Sequence, residues 1–95
     1  MTYDRQYLEN LLRSARERKL RAKVLEKPDE ELDFLYRCLD GLDGDGKKLL
    51  TALYIDGGSV RRCAMVTNLS RYYVEREKDR LLGLLSGLFT ERFGR

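Results

Sequence analysis

The sequence predicts an all-α fold of four to five helices that ends in a helix-turn-helix. Apolar residues recur at helical spacing along the 95 residues, and no stretch alternates apolar and polar residues as a half-buried β-strand does. Proline occurs once, and glycines cluster in 41–46 and 57–58, where they separate the helical segments. These boundaries divide the chain into an N-terminal helical region, 1–46, and a helix-turn-helix domain, 47–95.

The N-terminal region is predicted to contain two helices. The first is one long helix over 3–27, in which Leu20, Val24 and Leu25 form a second apolar stripe, offset from the first. Pro28 closes it, because the residue before a proline is pushed out of the helical conformation. The second helix starts at Pro28 or Asp29 and ends in the glycine-rich stretch 41–46, which is predicted to be a turn. Its acidic residues lack the spacing of a calcium-binding EF-hand loop, so no calcium site is expected.

A third helix, 47–55, leads into the most informative part of the sequence. Ser59 and Ser70 are N-cap candidates, the first for a short helix over 60–66 and the second for a long one. Between them, Asn68 suits the left-handed residue that ends a helix. The spacing of Ala64, Leu69 and Val74 is the apolar skeleton of a helix-turn-helix. An ordinary corner between two helices has similar requirements and is the alternative.

The faces of the long helix follow from 100° of rotation per residue. Leu81, Leu85 and Leu88 lie on the same side as Val74 and are expected to be buried by the first helix, the second helix or a second chain. The opposite face presents polar and aromatic side chains that can contact base edges and phosphates. Together with two basic residues of the preceding helix, the candidates for DNA binding from this pattern are Arg61, Arg62, Tyr72, Tyr73, Glu75, Arg76, Asp79 and Arg80.

Charge is segregated along the chain. Residues 1–27 hold eight basic and four acidic side chains, residues 28–46 hold one basic and seven acidic, and residues 47–95 hold ten basic and five acidic. A basic C-terminal half favours a polyanionic partner, although a solvated face with a salt-bridging neighbour has the same composition. If five to seven phosphates are neutralised, the log–log slope of affinity against salt is roughly −5 to −6.

Composition argues against several other classes. With no histidine and only Cys38 and Cys63, the chain lacks the residues of a zinc finger or a histidine-based catalytic site, so no enzyme activity, metal or cofactor is expected. The longest apolar run, 81–89, is shorter than the roughly 20 residues that span a bilayer. The N-terminus lacks the pattern of a secretory signal, which indicates a cytoplasmic protein with reduced thiols.

The stretch 50–85 resembles a known family. The lead-in LTALYIDGGS (50–59), the turn NLSR (68–71) and VEREKDRLL (74–82) resemble the promoter-binding helix-turn-helix of sigma factors, and more closely the small sigma-like phage and prophage regulators of the ArpU type. Thr67 and Asn68 replace the usual leucine and glycine, and Cys63 stands at a usually aliphatic site. The resemblance implies a regulator of phage or mobile-element transcription. It also implies that Ser70, Arg71, Tyr72, Glu75 and Arg76 contact bases and backbone.

The function predicted is sequence-specific binding of double-stranded DNA by a transcription regulator, with the helix that starts near Arg71 in the major groove. RNA polymerase and a second copy of the chain are further candidate partners, and no membrane partner is expected. The alternatives are a non-catalytic adaptor between proteins and a DNA-packaging protein similar to a small terminase.

Overall fold

A computed structural model describes residues 2–94, which fold into six α-helices. They are α1 (Arg5–Arg13), α2 (Ala15–Leu25), α3 (Glu30–Gly41), α4 (Gly44–Leu50), α5 (Val60–Thr67) and α6 (Arg71–Phe93). A π-helical turn, Thr51–Ile55, continues α4. No β-strand occurs among the described residues, which confirms the all-α prediction, although the α-helices number six rather than four to five.

The N-terminal segment is broken at Ser14, so the prediction of one helix over 3–27 is wrong. Ser14 has a backbone conformation outside the helical region (φ −95°, ψ 4°). Its hydroxyl donates to the carbonyl oxygen of Leu11 at 3.2 Å, a local bond with which serine competes against the regular helix. The offset apolar stripe beyond the break does not pack against the body of the protein. Its three side chains, Leu20, Val24 and Leu25, are 62%, 69% and 56% exposed.

Two residues, Glu26 before Pro28 and Asp29 after it, determine how α2 is connected to α3. Glu26 takes the left-handed conformation (φ 53°) and ends α2 at Leu25, so the helix stops before the proline is reached. Asp29 is the N-cap of α3, which therefore begins at Glu30 rather than at the proline or the aspartate.

Asp29 also joins α2 to α3 through a charged contact. Its carboxylate accepts the amide of Leu32 at 3.1 Å and two bonds from the Arg18 guanidinium, each at 2.8 Å. Burial raises the pKa of this carboxyl, but the bonds from Arg18 and Leu32 lower it by more, so it lies below its ordinary value. The ammonium group of Lys19 lies 5.1 Å from the centroid of the Tyr36 ring and adds a cation–π contact between the same two helices.

The glycine-rich stretch 41–46 is only partly a turn, which corrects the prediction. Asp43 caps a new helix, its carboxylate accepting the amide of Gly46 at 2.7 Å, so α4 already begins at Gly44. A β-carbon on Gly46 would lie 3.0 Å from the Oδ1 atom of Asp43 and 3.6 Å from a methyl group of Leu81. The absence of a side chain at Gly46 therefore leaves room for the capping carboxylate.

The segment after α4 sets where α5 begins. The amide of Asp56 donates to the carbonyl oxygen of Thr51 at 2.8 Å, the wide bond of a π-helix. Gly57 then takes a positive φ of 69°. A β-carbon on Gly58 would lie 2.4 Å from the carbonyl oxygen of Ala52, so only glycine fits without a shift of the backbone. The predicted end of the third helix near residue 55 is therefore confirmed.

α6 is the central element of the core. Its buried side chains are Val74, Leu81, Leu82, Leu85 and Phe89. Phe34 of α3 packs edge-on against Phe89 with ring centroids 5.0 Å apart, and Tyr3 lies 5.8 Å from the same ring on the side of α1. Side chains from both predicted N-terminal helical regions therefore pack against the leucine-rich part of α6. Residues of both ranges, 1–46 and 47–95, belong to one hydrophobic core.

A polar cluster closes the core between α1 and α3. The hydroxyl groups of Tyr3 and Tyr7 both donate to the carboxylate of Glu31, the first at 2.8 Å. Burial and the bond to Glu31 raise the pKa of Tyr7 to about 12. The Arg18 guanidinium lies 3.8 Å from the same carboxylate, so this cluster joins α1, α2 and α3.

Candidate nucleic-acid interface

A sharp turn joins α5 to α6, as predicted. The amide of Arg62 donates to the hydroxyl oxygen of Ser59, and the amide of Tyr73 donates to that of Ser70, both at 3.1 Å. These bonds confirm both N-caps. Asn68 takes the left-handed conformation (φ 58°, ψ 35°) and ends α5. α5 is one residue longer than predicted, and the turn is correspondingly shifted.

Small and apolar side chains fill the angle between the two helices. Ala64 and Val74 are buried, and Leu69 is half-buried beneath the turn, so each occupies the place that the spacing predicted. Cys63 is fully buried, and its thiol donates to the carbonyl oxygen of Leu49 at 3.5 Å. This thiol contact ties α5 to α4 and fixes the helix pair on the rest of the protein.

The first turns of α6 carry an exposed ridge of aromatic and basic side chains. Tyr72 is 72% exposed, and the guanidinium carbon of Arg76 lies 5.8 Å from the centroid of its ring. Beside the ridge, an open cleft of about 420 Å³ lies between the start of α5 and the start of α6. Arg61, Arg71 and Glu75 contribute to its lining. The ridge and the cleft form one continuous surface, which we call the α5 side of α6.

The guanidinium groups of this surface, and that of Arg62 on α5, form no ion pair within the described residues. No carboxylate of residues 2–94 lies within 4.0 Å of the side chains of Arg61, Arg62, Arg71 and Arg76. All four are exposed. An arginine with free donors is suited to phosphate or to a guanine edge.

Other predicted residues on α6 are engaged in ion pairs. The Nε and Nη2 atoms of Arg80 donate to the two carboxylate oxygens of Glu77 at 2.9 and 2.8 Å. The ammonium group of Lys78 lies 3.1 Å from Glu75 and 3.9 Å from Asp79. The two acidic candidates are thus partly neutralised by a neighbour on their own helix.

A different surface lies on the opposite flank of α6, toward α4. There Tyr73 and Glu77 border a small cleft together with Asp43 and Asp45. The hydrogen bond to Glu77 raises the pKa of Arg80, and Asp43 acts in the same direction. This flank, which we call the α4 side, carries carboxylates where the α5 side carries free arginines.

Most of the predicted residues fall into two groups, whereas Arg62, exposed on α5, borders neither cleft. Arg61, Arg71, Tyr72 and Glu75 meet around the cleft on the α5 side, with Arg76 on the adjoining ridge. Tyr73 and Arg80 lie on the α4 side. The hydroxyl of Ser70 is occupied as an N-cap, and Asp79 is exposed beside Lys78.

Sequence reasoning missed Glu77 as the partner of Arg80. The spacing of three residues along a helix brings two side chains close together and is the signal that indicates this pair. The side chain of Glu77 is only 23% exposed, so its place against the body of the protein depends on α4 and could not be read from α6 alone.

Both thiols of the chain are at least partly buried. Burial raises the pKa of the thiols of Cys38 and Cys63, which favours their protonated forms. No three histidine, cysteine, aspartate or glutamate side chains of residues 2–94 are grouped so as to hold a metal ion. None of the helices formed by these residues is long and apolar enough to cross a membrane.

Comparisons of the chain with protein-family models, with curated proteins and with solved structures found no significant match.

Proposed function

We propose that this protein is a sequence-specific DNA-binding transcription regulator in which α5, the turn and α6 act as a helix-turn-helix. The observation that carries the proposal is the exposed ridge of Tyr72 and Arg76 beside the free arginines Arg61 and Arg71, at the start of α6 and directly after the turn that joins it to α5. The protein acts by binding and needs no catalytic group.

The arrangement supports a specific docking geometry. The major groove of DNA is about 12 Å wide and admits an α-helix, so the first turns of α6 enter it. Arg76 donates to the O6 and N7 atoms of a guanine, and Tyr72 contacts a thymine methyl group or a phosphate. Arg61 and Arg62, at the start of α5, and Arg71, at the start of α6, bind phosphates on the flanks of the groove.

The resemblance of 50–85 to sigma-like regulators supports a role in transcription. In such a regulator a single module makes few base contacts, so its sequence preference is modest unless a second copy or RNA polymerase contributes. We propose a phage or mobile-element regulator that acts in the cytoplasm beside RNA polymerase, with the DNA site read through Tyr72 and Arg76.

A binding experiment with a double variant tests the proposal. Selection from a random pool of DNA duplexes yields a preferred site, and fluorescence anisotropy then measures affinity for it. We expect the double variant Tyr72→Ala with Arg76→Ala to bind the site more than about tenfold more weakly. Two direct contacts are removed, and a good contact of this kind contributes about 1–3 kcal/mol. Its helical circular dichroism should match that of the wild type, since both side chains are exposed.

Arg37→Ala is the matched control. Arg37 is an exposed arginine in the acidic helix α3, outside the proposed surface, and its removal should leave DNA affinity unchanged within about two-fold. Failure of the pool to yield any motif, with no duplex bound at low salt, contradicts the proposal. Equal losses in Arg37→Ala and in the double variant contradict the placement of the surface.

A protein-binding adaptor is the second candidate, and a specific observation favours it. Five aliphatic side chains are more than half exposed: Leu20, Val24, Leu25, Met65 and Val66. Exposed apolar groups in clusters are typical of protein–protein contact surfaces. If the wild type binds neither duplex DNA nor heparin at low salt, the adaptor replaces the DNA-binding regulator as the proposed function. A DNA-packaging protein lies between the two candidates, because it would bind both DNA and other proteins.

A further inference from the structure

The α4 side of α6 contains an arginine that is already paired with a carboxylate. Arg80 forms a forked contact with Glu77, with bonds of 2.9 and 2.8 Å from two of its nitrogen atoms. The fork occupies one edge of the guanidinium group, and the carboxylate offsets its positive charge. As long as the fork is closed, the guanidinium is held against Glu77, and the pair has no net charge with which to attract a phosphate.

The surroundings of this pair keep it where it is. Glu77 is 23% exposed, whereas Arg80 is 56% exposed, so the carboxylate is the better anchored partner. Asp43 and Asp45 border the same cleft as Glu77. Asp43 is itself fixed, because its carboxylate accepts the amide of Gly46 as the cap of α4.

The charge of this flank opposes the approach of DNA. Three carboxylates, Asp43, Asp45 and Glu77, lie along the α4 side, and phosphates near them are repelled. The α5 side presents three arginines, Arg61, Arg71 and Arg76, without an ion-pair partner within the described residues. The carboxylate on that side, Glu75, is paired with Lys78. The two flanks of one helix therefore differ in sign.

We propose that Glu77 is a positioning residue that holds Arg80 off the nucleic acid and, with Asp45, makes the duplex approach α6 from the α5 side only. This inference rests on the proposed function. It names Glu77 and Asp45 as residues that determine how the protein is oriented on DNA, although neither binds it.

The test compares two neutralising variants on the duplex selected for the wild type. Glu77→Gln removes the negative charge and one of the two acceptor oxygens of the fork. Asp45→Asn removes the charge of a carboxylate in the same cleft that has no contact with Arg80. We expect Glu77→Gln to tighten binding by about two- to five-fold more than Asp45→Asn does, the size of one exposed ion pair with phosphate. Its log–log slope against salt should also be steeper by about 0.9, because one more phosphate is neutralised.

Arg80 supplies the second arm of the test. In the wild type, Arg80→Ala should change affinity by less than about two-fold, because its charge is already offset by Glu77. In the Glu77→Gln background, the same substitution should cancel both the tighter binding and the steeper slope. A simple loss of one acidic charge would leave the gain in place when Arg80 is removed.

Two results overturn the inference while leaving the proposed function standing. One is a loss of affinity in Arg80→Ala as large as that in Arg76→Ala, since Arg80 would then contact DNA in the wild type. The other is equal affinity and equal salt slope in Glu77→Gln and Asp45→Asn. A wild-type chain that binds no duplex at low salt overturns the proposed function, and the inference with it.

Discussion

At the scale of single residues, two glycines differ in whether packing requires them. Gly58 directly precedes the N-cap of α5, and Gly87 lies within α6. Gly58 lies against the backbone of the π-helical turn, where a β-carbon would be 2.4 Å from the carbonyl oxygen of Ala52. Gly87 lies within α6, exposed, and a β-carbon there would have no atom within 4 Å. Only the first glycine is required by packing.

The pair gives a prediction for stability. Gly58→Ala should lower the free energy of unfolding by about 1–3 kcal/mol, because the backbone must shift to relieve the contact. Gly87→Ala should raise it by about 0.5–1 kcal/mol, because alanine loses less conformational freedom in a helix. Urea unfolding followed by circular dichroism measures both. Equal effects of the two substitutions would show that the close approach at Gly58 is not real.

Residues with local roles were predictable from the sequence, and residues with tertiary roles were not. The caps Ser59 and Ser70 and the left-handed Asn68 depend on a few neighbours along the chain, and all three predictions are confirmed. The left-handed Glu26 was not predicted, because glutamate has no special preference for that conformation and Pro28 looked like a sufficient stop.

At the scale of elements, the core face of α6 was read correctly from its periodicity. Leu81 and Leu85 are buried, as predicted, while Leu88, placed on the same side, is half-buried near the end of the helix. Leu84 is 44% exposed on another face. Adjacent leucines of one helix thus differ in burial because α1 and α3 cover only part of its circumference.

This difference predicts unequal tolerance of a charge. Leu85→Asp should cost about 4 kcal/mol or more, close to the whole stability of a small domain, because it places an unpaired carboxylate in the core. Leu84→Asp should cost less than about 1 kcal/mol, the range of helix propensity at an exposed site. Thermal unfolding followed by circular dichroism distinguishes them. A cooperative transition at the wild-type temperature in Leu85→Asp contradicts the assigned core.

The errors at the element scale have one physical origin. The break at Ser14 and the early start of α4 at Gly44 both accompany local side-chain hydrogen bonds, which the periodicity of apolar residues does not encode. Glycine in 41–46 was taken as a turn signal, yet Asp43 caps a helix whose first turn contains Gly44 and Gly46. The cap outweighed the glycine signal at this position.

At the scale of the whole molecule, the segregated charges of the sequence serve two different purposes. The acidic segment 28–46 is partly used inside the protein, where Asp29 and Glu31 bind Arg18 of α2. On the α5 side of α6, by contrast, basic side chains face solvent without such partners within the described residues. The sequence predicted basic and acidic blocks, but only the fold separates the charges that are neutralised from those that are free.

The number of free arginines sets the expected response of DNA binding to salt. Four of them, Arg61, Arg62, Arg71 and Arg76, have no ion-pair partner within residues 2–94, whereas Arg80 has one. At about 0.9 per neutralised phosphate, the log–log slope of affinity against salt should be roughly −4, shallower than the −5 to −6 that the sequence suggested. Anisotropy titrations of the selected duplex over a series of potassium chloride concentrations measure the slope.

Single substitutions then resolve which cations contribute. Arg61→Ala should reduce the magnitude of the slope by about 0.9, because one phosphate contact is lost whatever the base sequence. Arg37→Ala, outside the proposed surface, should leave the slope unchanged. A wild-type slope of −5 to −6 would mean that cations beyond the four arginines reach the DNA, and a slope near zero would mean that binding does not depend on phosphates at all. Either result would require a surface other than the α5 side of α6.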